Sequence, residues 1–179
     1  MADVRKIRPS PGSVNYRMNR YVDVDVRLIY HRLVMPQLKA LKLDPSAHLP
    51  QRANPGDLGY DLFALERSII AQGETKALRT GLALEFPEGW GAIIKDRSSV
   101  AVKGVTVSAG VIDNGYRGEI KIALYNHSGD DFTVEREMKI AQLIPTPVTD
   151  WQVTVVEKLD DTERGEGGFG SSGAYKKKS

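Results

Sequence analysis

The sequence predicts an all-β sandwich or barrel of short strands, and three observations predict it. Apolar and polar side chains alternate with period two in several runs, most clearly where Ile120, Ile122 and Leu124 alternate with Glu119 and Lys121. Such runs recur at short, regular spacing. Gly and Pro turns, such as Pro87-Glu88-Gly89, separate them, and only one short stretch reads as helix.

In chain order, residues 1–20 are polar and basic, with Arg5, Lys6, Arg8, Arg17 and Arg20, and are expected to form a poorly ordered arm. Val22, Val24, Val26 and Leu28 alternate with Asp23, Asp25 and Arg27, which predicts a strand with one buried face. Residues 31–50 read as loop with one helical turn around Leu38 and Leu41 after Pro36, because Asp44-Pro45 and Pro50 punctuate them. Further strands are expected at 60–64, 68–71, 76–80, 82–86 and 90–95. Residues 100–103 suit one or two helical turns ending at Gly104. The remaining strands are expected at 119–125, 132–134, 139–144 and 152–156. No internal repeat is evident. The division expected is a basic arm at 1–20, a β domain at 21–159 and a glycine-rich arm with a lysine-rich end at 160–179.

Composition excludes several classes. A chain of 179 residues is long enough for one domain with a core, and 41% hydrophobic with 27% charged residues is ordinary for a soluble protein. A net charge of +2 gives no electrostatic case for nucleic-acid binding, which leaves only the N-terminal arm as a candidate contact. With no cysteine there is no disulfide, thiolate metal site or cysteine nucleophile. His31, His48 and His127 have no metal-ligand spacing. No apolar run reaches the roughly 18 residues of a membrane span and no signal peptide opens the chain, so the expected location is cytoplasmic or otherwise intracellular, without membrane contact. Asn126-His127-Ser128 is a glycosylation sequon that has no export signal to accompany it.

Three stretches suit anions. Arg97, Ser98 and Ser99 precede the short helix and combine a guanidinium, two hydroxyls and the donors of a helix start; the plain alternative is a serine N-cap. Arg164 with Gly170, Ser171 and Ser172 belongs to a glycine-rich tail whose backbone N–H groups can surround a phosphate, and Phe169 stands alone among the glycines. Gln142 is polar within the apolar run Ile140-Ala141-Gln142-Leu143-Ile144. A fourth stretch, from Ser108 to Asn126, sets Asp113 after Val111 and Ile112 and before Asn114-Gly115, Tyr116 and a strand. Asn-Gly suits a two-residue hairpin turn because both residues tolerate positive φ, and such a hairpin projects the acid and the aromatic together.

In this order and spacing the chain resembles the trimeric dUTPase family. The resemblance is carried by Gly59-Tyr60-Asp61-Leu62, Asp96-Arg97-Ser98-Ser99-Val100-Ala101, Gly110-Val111-Ile112-Asp113-Asn114-Gly115-Tyr116-Arg117-Gly118, Lys139-Ile140-Ala141-Gln142-Leu143 and the run from Arg164 to Gly173. It spans residues 22–173. It implies a distorted jelly-roll or barrel assembled as a homotrimer with shared active sites, and hydrolysis of dUTP to dUMP and pyrophosphate. That reaction keeps uracil out of DNA and supplies dUMP for thymidylate synthesis.

By resemblance, Asp113 is the general base that orients water for attack on the α-phosphorus. Backbone groups around Val105 to Val111 read the uracil edge, Gly110, Val111 and Ile112 count among the substrate-binding residues, and Tyr116 packs on the sugar and leaves no room for a 2′-hydroxyl. Arg97, Ser98 and Gln142 hold phosphates, with a backbone N–H from Ser99. Mg²⁺ rides on the triphosphate with Asp61 in its outer sphere, through water. Phe169 stacks on uracil while Arg164, Gly170, Ser171 and Ser172 close over the phosphates from another subunit. Departures from the family pattern are Leu58 for a small residue, Ser99 for Gly, Gly115 for an acid, and Glu137-Met138-Lys139 for Gly-Asp-Arg. The N-terminal arm and residues 31–55 exceed the usual core. Two alternatives stand beside the hydrolase: a dCTP deaminase, which has a similar Arg-Ser-Ser stretch but lacks the Tyr116 motif and the Gly-Phe-Gly tail, and a regulatory binding protein of the same fold.

Overall fold

The computed structural model describes residues 36–167. The arm at 1–20, the expected strand at 22–28 and residues 169–172 lie outside the described residues. Ten strands and one short helix follow in order: β1 (Lys39–Lys42), β2 (Tyr60–Phe63), β3 (Ser68–Ile70), β4 (Thr75–Glu85), β5 (Trp90–Lys95), α1 (Ser98–Ala101), β6 (Val105–Val107), β7 (Val111–Ile112), β8 (Glu119–Asn126), β9 (Phe132–Val134) and β10 (Lys139–Pro147). The all-β class is as the alternation predicted.

The strands form a sheet of order β1-β4-β8-β6, a second of order β2-β10-β5-β7, and a two-stranded ribbon β3-β9. Every pairing is antiparallel. Along β8 burial alternates, with Ile120, Ile122 and Leu124 inward. They join Leu78, Leu84 and Val105 of the first sheet and Leu62, Ile94, Ile140 and Leu143 of the second in one apolar cluster. Burying each such Leu or Ile side chain contributes about 1.5–3 kcal/mol. Two polar side chains inside the domain are satisfied locally. Thr80 Oγ1 donates to Ile120 O at 2.6 Å. Asn126, fully buried, donates through Nδ2 to Ile70 O and Asp130 O and accepts from Ser128. An amide so enclosed is closed to glycosylation in the folded domain, whatever the sequon suggests.

Three local expectations are corrected. Residues 76–80 and 82–86 are one strand, β4, because Gly81 at φ 71° forms a bulge and does not end the strand; the register with β8 shifts between Arg79 and Ala83. The helical turn expected near Leu38 and Leu41 is strand β1, since the open edge of β4 offers a four-residue register, from Lys39 opposite Glu85 to Lys42 opposite Leu82. Lys39 Nζ also meets Glu85 Oε1 at 2.6 Å, and cross-strand pairing overrides a weak local propensity. Residues 152–156 are not a strand. Their alternation is real, but Val153 and Val155 are more than 90% exposed and no edge among the described residues pairs with them. The short strands β6 and β7 escaped notice because three and two residues are too few for alternation to register. The chain divides into two compact units, at Val148 and Thr149.

Candidate functional site

Register builds the first half of the site. Pairing of β10 with β2 sets Gln142 opposite Asp61, and pairing of β10 with β5 sets Gln142 opposite Lys95, just before Asp96 and Arg97. Three stretches distant in sequence thus meet at one place. They line a cleft of about 380 Å³ that includes Gly59, Asp61, Arg97, Ser98 and Gln142. Asp61 is only 8% exposed. Its Oδ1 accepts from Arg97 Nε at 2.9 Å, and its Oδ2 lies 2.8 Å from Lys139 Nζ. Arg97 Nη1 also donates to Ser99 Oγ at 3.3 Å and to Lys139 O at 3.4 Å. One carboxylate therefore faces two cations, of which Arg97 lines the cleft together with Asp57 and Asp61; the guanidinium, and not an excess of positive charge, suits the cleft to an anionic ligand. Gln142 Nε2 donates to Asp96 O at 2.7 Å, and the Asp96 carboxylate accepts the Val107 N–H. Ser98 opens α1 with Arg97 as N-cap, and no side chain caps it; the serine-cap alternative does not hold.

The second half lies in a smaller cleft of about 170 Å³ lined by Val111, Ile112, Asp113, Tyr116, Glu119 and Lys121. The turn holding Asp113 is closed by Tyr116 N–H donating to Asp113 O at 3.1 Å. The expected hairpin is corrected here. Strand β7 pairs with β5 and strand β8 with β4 and β6, so the turn joins two sheets and does not close a hairpin. Neither Asn114 nor Gly115 adopts positive φ, so the backbone reason for Asn-Gly does not apply. Asn114 instead uses its side chain, donating to Pro87 O at 2.8 Å and Trp90 O at 2.6 Å. Tyr116 Oη donates to Glu119 O at 3.0 Å, and its ring occupies the place a Cβ on Gly118 would need. Glu119 accepts from Arg79 Nε at 3.1 Å and from Gly81 N–H at 2.9 Å, which fixes the far end of the loop on the β4 bulge.

Of the residues predicted from sequence, Ser99 and Gly110 line neither cleft. Ser99 instead supports Arg97. Gly110 O accepts from Ile94 N–H at 2.7 Å, and a Cβ there would overlap Ile94 O. Arg164 sits in the second unit, where its Nε donates to Gly167 O at 2.8 Å. The two clefts share no lining residue. The sequence alone does not single out Lys139, Glu119 and Lys121, although Lys139 lies inside the Lys139-to-Leu143 motif and Glu119 and Lys121 inside the Ser108-to-Asn126 stretch. Among the described residues no group of three or more His, Asp or Glu could hold a metal ion, and no helix is long and apolar enough to cross a membrane. Asp57 and Asp61 are the two carboxylates that line the larger cleft, and both oxygens of Asp61 are paired with Arg97 and Lys139, so an ion here fits one that arrives on a phosphate ligand with its own waters and not one held in a protein cage.

A family model described as dUTPase matches residues 45–173, so the match begins later than residue 22. Among curated relatives, the deoxyuridine 5'-triphosphate nucleotidohydrolase of Clostridioides difficile is 48% identical over 142 residues, covering 78% of this chain and 99% of that protein. The enzyme of the same name from Clostridium acetobutylicum is 46% identical over 145 residues, covering 79% and 100%. Among solved structures, a mutant dUTPase of Staphylococcus bacteriophage 80alpha with dUpNHpp superposes with a TM-score of 0.72 at 28% identity, over 76% of this chain and 98% of that one.

Proposed function

The chain belongs to the dUTPase family and hydrolyses dUTP to dUMP and pyrophosphate, and from that premise we propose which of its residues do so. The observation that carries the proposal is the strand register that joins Asp61, Arg97 and Gln142 in one polar cleft, while a second cleft holds Asp113 beside Tyr116. The deaminase alternative has no support from relatives at this identity.

In the proposed mechanism Asp113 accepts a proton from water as its oxygen bonds to the α-phosphorus. The bond from that phosphorus to the bridging oxygen breaks, and pyrophosphate leaves. Arg97, Ser98, Gln142 and the Ser99 N–H bind phosphate oxygens, which opposes the charge that accumulates there. Lys139 and Asp61 hold Arg97 in place. Val111 and Ile112, with the Gly110 backbone, face uracil, and Tyr116 packs against the sugar. Asp61 is the residue that would face a Mg²⁺ ion carried in on the triphosphate, through the ion's own waters, and such an ion would offset part of the phosphate charge. Arg164, Phe169, Gly170, Ser171 and Ser172 form the lid.

Two clefts without a common wall are compatible with a site completed by neighbouring chains, and membership of the dUTPase family supports a homotrimer as that assembly. Its substrate, a nucleoside triphosphate, is an intracellular metabolite, so the activity belongs inside the cell. The test is pyrophosphate release from each common deoxynucleoside triphosphate, with and without chelator, beside sedimentation of the intact chain. Turnover of dUTP alone, lost on chelation, in a trimer is the expected result. Ammonia released from dCTP, or chelator-insensitive turnover, would overturn the corresponding part.

A further inference from the structure

We propose that Asn114 is a positioning residue for Asp113, acting as a clamp between the turn that holds the base and the turn that joins β4 to β5. The inference rests on the reading of Asp113 as the base.

The Asn114 side chain reaches across to a different turn. Its Nδ2 donates to Pro87 O at 2.8 Å and to Trp90 O at 2.6 Å, with Phe86 O at 3.4 Å. Three carbonyl oxygens around one nitrogen fix the orientation of the amide, because only its NH₂ end donates. An amide nitrogen has two protons, and the two short contacts use both. The turn is also seated by its backbone. A Cβ on Gly91 would come within 2.8 Å of Ile112 O and 3.8 Å of Asn114 N, so the chain on either side of Asp113 lies against β5. Arg117 Nη1 donates to Asn114 O at 2.6 Å, which satisfies the carbonyl of the same residue.

These contacts surround Asp113 without touching its carboxylate. The turn has no hairpin partner to hold it, since β7 and β8 belong to different sheets. Neither residue of the Asn-Gly pair uses positive φ. The side chain of Asn114 therefore supplies the restraint that a hairpin ladder supplies elsewhere. Displacement of a reacting group by about 1 Å can cost on the order of 10²-fold in rate, so a clamp one residue from the base bears on turnover more than on binding.

The test compares Asn114→Ala, Asn114→Ser and Asn114→Asp in the full-length protein, each alone and combined with Asp113→Asn. Each variant is measured well below its melting temperature for single-turnover rate on dUTP and for affinity toward dUpNHpp. Asn114→Asp keeps the shape but turns a carboxylate toward three carbonyls; Asn114→Ser keeps one donor. The expected order of rates is Asn, then Ser, then Ala, with Asp lowest, at a loss of about tenfold or more for Ala and affinity for dUpNHpp held within about twofold. In the Asp113→Asn background the loss from Asn114→Ala should shrink to about twofold or less, because the clamp has nothing left to position. A full loss in that background, an unchanged rate in folded Asn114→Asp, or a loss seen only as weaker dUpNHpp binding overturns the clamp. A fully active Asp113→Asn overturns the base assignment instead, and leaves the two failures distinct.

Discussion

Gly59 and Gln142 compete for one space. A methyl group on Gly59 would overlap Gln142 Oε1 and come within 2.9 Å of Cδ and 3.0 Å of Cβ. The glycine before β2 is therefore required by a side chain on β10, and not by its own backbone angles. Gly59→Ala forces Gln142 to another rotamer and breaks its bond to Asp96 O. The expected result is a KM for dUTP raised about tenfold with kcat much less affected, and a stability loss of about 1–3 kcal/mol from overpacking. Steady-state kinetics and a denaturant melt check both.

Asp113→Asn tests the chemistry directly. It replaces the proposed base with an amide that cannot accept the proton, and kcat should fall by roughly 10²–10⁴. Affinity for dUpNHpp, measured by calorimetry, should hold. A variant that turns over at the native rate removes Asp113 from the mechanism.

Asp61→Asn leaves Arg97 and Lys139 with a neutral partner in a partly buried cleft. Two charge-assisted contacts weaken together, and the stability loss expected is about 1–3 kcal/mol. For a chain of this size that lowers the melting temperature by about 2–4 °C per kcal/mol. A thermal melt unchanged by the substitution would show that this pair does not support the domain.

Acid titration bears on the loop before β2. The Ser46 hydroxyl and N–H both donate to Asp44 Oδ1, at 2.6 and 2.8 Å, and hold that carboxyl below the usual carboxylate range, the hydroxyl contributing most. A depressed folded pKa means that the stabilisation is present above the unfolded value of about 4 and is lost as pH falls through the folded value. Ser46→Ala should raise the Asp44 pKa toward that ordinary value, read from its side-chain carbon in an NMR titration.

Truncation before Arg164 tests the lid. Most dUTP turnover should disappear while the sedimentation coefficient still reports a trimer. A truncated chain with native turnover would exclude the tail from the reaction.

What the sequence made legible follows from how local each signal is. The alternation in β8 and the run Ile140 to Ile144 identified strands, because burial on one face needs only the chain itself to be read. Arg97, Ser98 and Gln142 stand out in the sequence by their chemistry and Asp61 by the family motif, and strand register unites the four in one cleft. The sequence assigns Lys139 no role, because its contact with Asp61 depends on the pairing of β10 with β2. Asn114-Gly115 was misread as a hairpin turn, since nothing in the local sequence says that β7 and β8 enter different sheets. Gly81 was misread as a strand end for a similar reason: a bulge and a break look alike until the partner strand is known. Residues 152–156 alternate, yet alternation cannot supply the neighbouring edge that a strand requires.

The loop from Asp113 to Gly118 is a strap sewn to both layers of the sandwich. Its geometry is therefore a gauge of how those layers sit on each other. On warming, slippage between them should blunt turnover several degrees before circular dichroism reports any melting, and substitutions that tighten the shared apolar interior should widen the working temperature range even when they lie far from the nucleotide.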